Sequence, residues 1–288
     1  MSITTAPAPS RRTSRTDGSG VNFARILRSE WIKVTTVPST VILLATTLVV
    51  MVGLGAFFAW NVILTEELLA EAGPEMMAQM GGAVDLQAMA YSVPTSGLMF
   101  GQLLIASLAV VLIASEYSTG MIRSTMVAVP KRIPALLAKA LVIAVIAFVV
   151  GAISGFLSYL VGQPILNSAD LGFGLDIDGM VASIINTGTF LALVAIIGTA
   201  LGTLLRSTAG GVVTTIGLLM ILPIIASIFN VEWVTDASRF LPSNAGNQLV
   251  ALDIAEDALN QWQGGLVMAA WAVVLLLVAL IVTKKRDV

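Results

Sequence analysis

The sequence has no cysteine and no histidine in its 288 residues. The first absence removes disulfides, thiol nucleophiles and thiolate metal sites. The second removes Ser-His hydrolysis and His-ligated zinc or iron. Charge is also scarce. Asp, Glu, Lys and Arg make up 11% of the chain, against about a quarter in soluble domains, so a globule facing water on all sides is excluded. Intrinsic disorder is excluded from the other side, because 57% of the residues are apolar and mean hydropathy is +0.94. A net charge of −2 makes no case for nucleic acid. The G-x-x-x-x-G-K-[ST] phosphate loop is missing, so the chain does not bind ATP in that manner.

The apolar residues that remain are concentrated in long runs. Six stretches free of charge span Val34–Thr65, Leu86–Ser115, Ala140–Ala169, Gly179–Leu205, Ser207–Val231 and Ala258–Thr283. Each holds one span of about 20 residues, enough to cross a hydrocarbon core of about 30 Å, and none holds two. Trimmed to their apolar centres, the spans are expected at Ser39–Trp60, Val93–Ala114, Ala140–Val161, Val181–Leu205, Val212–Phe229 and Gly265–Val282. Open sheet edges cannot be satisfied in lipid, and the alternation of barrel strands is missing, so the spans are helices. The expected fold is an all-α membrane protein: a tail over 1–20, an interfacial helix over 21–36, and a six-helix transmembrane domain over 37–288.

Charge sorting sets the expected orientation. With six spans, both termini share a face. That face carries Arg11, Arg12, Arg15, Arg25, Arg28 and Lys33, then Arg123, Lys131, Arg132 and Lys139, then Arg206, and finally Lys284, Lys285 and Arg286. Only Arg239 falls opposite. By the positive-inside rule the termini are expected in the cytoplasm; the expected location is the plasma membrane. Most acidic residues lie on the opposite connections, Glu232 and Asp236 among them.

The Pro-, Ser-, Thr- and Arg-containing residues 1–20 read as a disordered cytoplasmic tail without the apolar core of a secretory signal. Phe23–Thr35 has the pattern of a helix lying along the inner membrane surface. Phe23, Ile26, Leu27, Trp31 and Val34 share one face, with Arg25 and Arg28 opposite. Glu30 is an exception inside the apolar sector, and Ile32 inside the polar one. A basic flanking anchor accounts for the segment equally well. Pro38 turns the chain into the first span. Glu66 and Glu67 read as a solvated face rather than a cation site, and Glu66–Gly73 as a short helix. The inner connection Ser115–Lys139, with charges of both signs and two prolines, is too long for a tight turn and suits a docking surface for a partner. A short helix is expected between Ser118 and Val129. The stretch Asn230–Gly264 mixes apolar and polar residues and suggests helices dipping into the outer leaflet, with Trp233 and Trp262 at the interface.

No ionisable residue sits at the centre of a span. Glu116 and Lys139 lie at inner ends, where they are expected to reach water or headgroups. This counts against an ion-coupled carrier, which usually needs a charged group at the midplane, although broken helices can coordinate an ion through carbonyls. Gly151-x-x-x-Gly155 and Gly198-x-x-x-Gly202 permit close helix approach, within one bundle or across a dimer seam.

The order and spacing of SEWIKVTTVPST, EYSTGMIRST, PKRIPALLAK, LRSTAGG and RFLPSNAG against six spans resembles the membrane subunits of ABC-type exporters, in the type-2 permease superfamily common in Gram-positive bacteria. The resemblance covers nearly the whole chain. It implies a permease subunit with no catalytic residue, cofactor or metal of its own, paired in the lipid with a second copy or a homologous permease and driven by soluble ABC ATPase subunits. It places a coupling element after span two, at Glu116, Tyr117, Gly120 and Arg123, followed by Pro130, Arg132 and Lys139. Trp31 and Lys33 of the elbow helix are implied to contact the motor or the membrane surface. An ion-coupled carrier and a non-transport scaffold or immunity subunit are the alternatives, ahead of an intramembrane enzyme.

Overall fold

The computed structural model describes residues 22–71, 84–121, 132–229, 231–252 and 258–285. The expected tail lies outside them, as do residues 122–131 of the inner connection, where most of the expected short helix falls. Within them the structure is helical, with no strand, and six helices are long and apolar enough to cross a membrane.

The elbow helix α1 (Phe23–Thr36) begins at Asn22, whose side chain accepts from the Ala24 N–H. It stops because Val37 precedes a proline, which disfavours the helical region for that residue; Val37 is extended, with φ −78° and ψ 116°. Pro38 then opens α2 (Pro38–Glu71), where its missing N–H costs nothing. The expected first span ended at Trp60, but α2 continues for three further turns. The sequence after Trp60, NVILTEELLAE, is rich in good helix formers, so propensity carries the helix past the end of the apolar run.

Span two is approached through a short helix, α3 (Leu86–Tyr91), and a 3-10 turn over Val93–Thr95. Pro94 and Gly97 interrupt the chain there, so α4 (Leu98–Ser118) starts five residues after the expected Val93. Span three is α5 (Arg132–Leu166) and span four is α6 (Met180–Leu205). Span five, α7 (Thr208–Ile228), contains a π-helical turn over Gly217–Ile221. Pro223 explains it: the ring has no N–H for the Leu219 carbonyl and crowds it, and a widened turn relieves the clash. Two short helices follow, α8 (Glu232–Ser238) and α9 (Pro242–Val250), before span six, α10 (Gln261–Lys285).

Spans two, three and four form the packed centre, and α2, α7 and α10 leave most of their apolar surface exposed. Small residues set the central contacts. A Cβ on Gly151 would lie 2.8 Å from the Gly188 Cα and the Thr187 carbonyl, and one on Gly198 would lie 2.9 Å from the Ala106 carbonyl. Both glycine pairs therefore close helices within this bundle.

At the end opposite α1, α8 and α9 make a re-entrant corner. The Trp271 indole N–H donates to the Phe240 carbonyl at 2.9 Å, and the Ser243 hydroxyl donates to Gln102 Oε1 at 3.2 Å. Trp271 and Gln102 stand about 21 and 24 Å from the elbow-side ends of their helices, at 1.5 Å per residue. The corner therefore sits within the thickness of the bundle. Asn186 Nδ2 donates to the Leu249 carbonyl at 3.0 Å, and the Ser183 hydroxyl donates to that of Val250. The helices expected in this stretch are present as α8 and α9. Leu249 faces the protein core, while Phe240, Trp233 and Trp262 are exposed.

Candidate functional site

The elbow helix is built to bury a carboxylate. Ile26, Glu30 and Val34 follow one another at intervals of four and form the buried stripe of α1, packed against the start of α5. Glu30 is 2% exposed in the middle of that stripe. An isolated carboxylate there would be strongly disfavoured, and the bundle supplies its partners. Lys139, near the start of α5 and 5% exposed, donates to Glu30 Oε2 at 2.6 Å. Lys33, one turn along α1, donates to Glu30 Oε1 at 2.7 Å.

The end of α4 completes the cluster. Glu116, also 2% exposed, accepts on Oε1 from Lys139 at 2.8 Å and from Lys33 at 3.2 Å. Two carboxylates and two ammonium groups alternate around a closed, electrically neutral ring that joins α1, α4 and α5. Glu116 Oε2 is buried with no hydrogen-bond partner among the described residues.

Burial, the largest influence on Glu30, pushes its carboxyl upward. The Lys139 ammonium, by charge and hydrogen bond, together with Lys33, outweighs burial and holds the carboxyl below its ordinary value. Burial likewise pushes the Lys33 ammonium downward, but the hydrogen bond to Glu30 and the charges of Glu116 and Glu30 hold it above its ordinary value. Glu30 and Lys33 therefore stay charged across the neutral range.

Beside it, Arg206 stacks its guanidinium 5.1 Å from the centre of the Tyr117 ring. Arg206 ends α6 in the left-handed region at φ 52°, so the connection between spans four and five turns next to the end of span two. Gly120 has φ 73° with open space around its missing Cβ. Its place is to let the chain leave α4, since an L side chain would be strained there by backbone conformation alone.

The structure brings Lys33, Glu116 and Lys139 together out of the residues marked in the sequence, with Tyr117 alongside. Glu116 and Lys139 do not reach water or headgroups as expected; each finds its counter-charge inside the protein. Trp31 lies on the exposed side of α1 and takes no part in the ring. Arg123 and Pro130 lie outside the described residues, and Arg132 opens α5 with its side chain undescribed. Sequence reasoning missed Glu30 and Arg206. The signal for Glu30 was its place as the one charge within an apolar helical face. Arg206 was the single base between spans four and five.

The ring is made of carboxylates and ammonium groups alone, and the described residues hold no group of three or more acids able to bind a metal. A buried ion-pair network contributes little net stability, because desolvation offsets attraction. What it does impose is geometry, since each charge accepts only the partners that neutralise it. Comparison of the chain with protein-family models and with curated proteins gives no match.

Proposed function

We propose that the chain is the membrane-spanning permease subunit of an ATP-driven exporter of the type-2 ABC class. In this reading it sits in the plasma membrane with both termini in the cytoplasm, forms a path with a second permease subunit, and takes energy from separate ATPase subunits. The buried charge ring carries the proposal. It ties together the elbow helix, the end of span two and the start of span three, which flank the connection where the resemblance places the coupling element. A push on that connection from a closing ATPase would reach α4, α5 and α1 as one body. The sequence holds no phosphate loop, and in this reading the engine is a separate polypeptide. Spans without a titratable centre suit a mechanical drive better than an ion gradient.

The test is purification of the full chain from native membranes in mild detergent, with chemical cross-linking before extraction. Co-elution of a nucleotide-hydrolysing chain is expected, and Glu116→Ala together with Arg123→Ala should reduce its recovery. Repeated preparations with no such companion would overturn the reading.

A further inference from the structure

The docked elbow helix presents a different side to its surroundings from the one its sequence pattern suggests. The pattern groups Phe23, Ile26, Leu27, Trp31 and Val34 on an apolar face, with Glu30 and Ile32 as exceptions. In the structure Ile26, Glu30 and Val34 turn inward against the bundle, so protein covers that stripe and the opposite arc of α1 faces outward. By helical periodicity the outer arc holds Arg25, Arg28, Ile32 and Thr35, with Trp31 at its edge. All five are exposed, Trp31 at 46% and Ile32 at 49%. Both exceptions thereby gain a place: Glu30 belongs to the ring and Ile32 to the outer arc.

The ring also sorts the charge. Among the described residues, the acids at this end of the bundle are Glu30 and Glu116, and both are buried in the ring. The exposed charges at the same end are Arg25, Arg28, Lys284 and Lys285, all basic. The outer arc is therefore a basic surface interleaved with large apolar side chains. Neither bulk phase suits that mixture: water leaves Trp31 and Ile32 wet, and hydrocarbon strips the guanidinium groups of their partners. A headgroup layer accommodates both, because a Trp ring suits its depth and its phosphates pair with arginine. The apolar surface also continues into the first span. Val37, Val41, Ile42 and Val49 stay exposed from the joint into α2, so acyl chains lying along α2 bring their headgroups to the level of α1.

We propose that the outer arc of α1 is a binding site for anionic phospholipid. Arg25 and Arg28 hold the phosphate, and Trp31 and Ile32 lie among the first methylenes of the acyl chains. Ring and lipid then hold the helix from its two sides. The site needs no ATPase and no transported solute, so its test is independent of the exporter reading.

The full chain is reconstituted in nanodiscs of equal phosphatidylglycerol and phosphatidylcholine, and the lipids it retains on release are counted by native mass spectrometry. Each base near a membrane surface favours anionic lipid by about fivefold, so phosphatidylglycerol should be retained over phosphatidylcholine by about tenfold or more. Arg25→Gln with Arg28→Gln should lower that preference by about fivefold or more, whereas Arg25→Lys with Arg28→Lys should keep most of it. Lys284→Gln with Lys285→Gln should lower it less than the α1 pair does. All four bases are exposed, and circular dichroism and gel filtration confirm that the variants stay folded. Because the sequence has no cysteine, Thr35→Cys carries a single benzophenone label on the same arc, and illumination in native membranes should attach it to lipid. Four results overturn the proposal: equal retention of the two lipids by the natural chain, an unchanged preference in the folded Arg25→Gln, Arg28→Gln variant, a preference lost only with the two lysines of α10, or cross-linking of Thr35→Cys chiefly to another polypeptide.

Discussion

Replacing Lys139 with methionine keeps most of the side-chain volume and removes one charge from the buried ring. Glu30 and Glu116, each 2% exposed, then face one another with only Lys33 between them. Removing one partner from a buried ion pair typically costs about 3–5 kcal/mol. Lys33 still reaches both acids, at 2.7 and 3.2 Å, which places the cost near the lower end, about 3 kcal/mol. That corresponds to about a hundredfold in the equilibrium between docked and released elbow helix. Because the natural sequence has no cysteine, Val34→Cys provides a single reporter at a position 2% exposed. Maleimide labelling of this variant in detergent should be slow, and should accelerate by up to about a hundredfold when Lys139→Met is added. Removing Glu30 as well, by Glu30→Met, leaves the neutral pair of Lys33 and Glu116 and should restore most of the protection. Labelling of the single-charge variant within twofold of its parent would refute the reasoning, as would a double variant no better protected than the single one.

Three further expectations concern the same helix, the opposite end and α2. The Glu30 carboxyl, held low, contributes stability above its ordinary value of 4.5 and loses it as pH falls through the lower folded value. The Lys33 ammonium, held high, contributes below its ordinary 10.5 and loses it as pH rises past the higher folded value. A spin label on Val34→Cys should therefore stay immobile through the neutral range and become mobile only below the first limit or above the second. In α10, a Cβ on Gly264 would collide with the Ala245 carbonyl and press on Gln248 Cβ at 3.0 Å. Gly264→Ala should cost about 1–3 kcal/mol and lower Tm by several degrees in a thermal melt. Gly53→Ala, with nothing within 4 Å of the new Cβ, should be neutral or stabilising by up to about 1 kcal/mol.

The six spans were legible because charge is so expensive in lipid that its absence over 25 or more residues marks each one. Their ends were less legible. Past Trp60, α2 continues through polar helix formers that an apolarity criterion discards, while at Pro94 and Gly97 the apolar run continues although the backbone turns. The charge ring was legible only in pieces. Lys33, Glu116 and Lys139 stood out because each sits at the margin of an apolar run, a position that suits snorkelling to water as well as pairing inside. Which of these occurs depends on which helix ends meet, and that is a property of tertiary packing. Glu30 marked the answer, since an acid in the apolar face of a helix needs a base brought from elsewhere. Arg239 gave a similar hint at the opposite end as the one base outside the sorted pattern, but its depth follows from the fold of α8 and α9.

The joint between α1 and α2 consists of Val37 alone, and α2 extends 34 residues beyond it. At 1.5 Å per residue that is a rod about 51 Å long, pivoted at one end. Each degree of rotation at the pivot would swing the far tip by about 0.9 Å, so the docking angle of a fourteen-residue helix is locked to the seam that α2 makes with α5 from Thr40 to Val62.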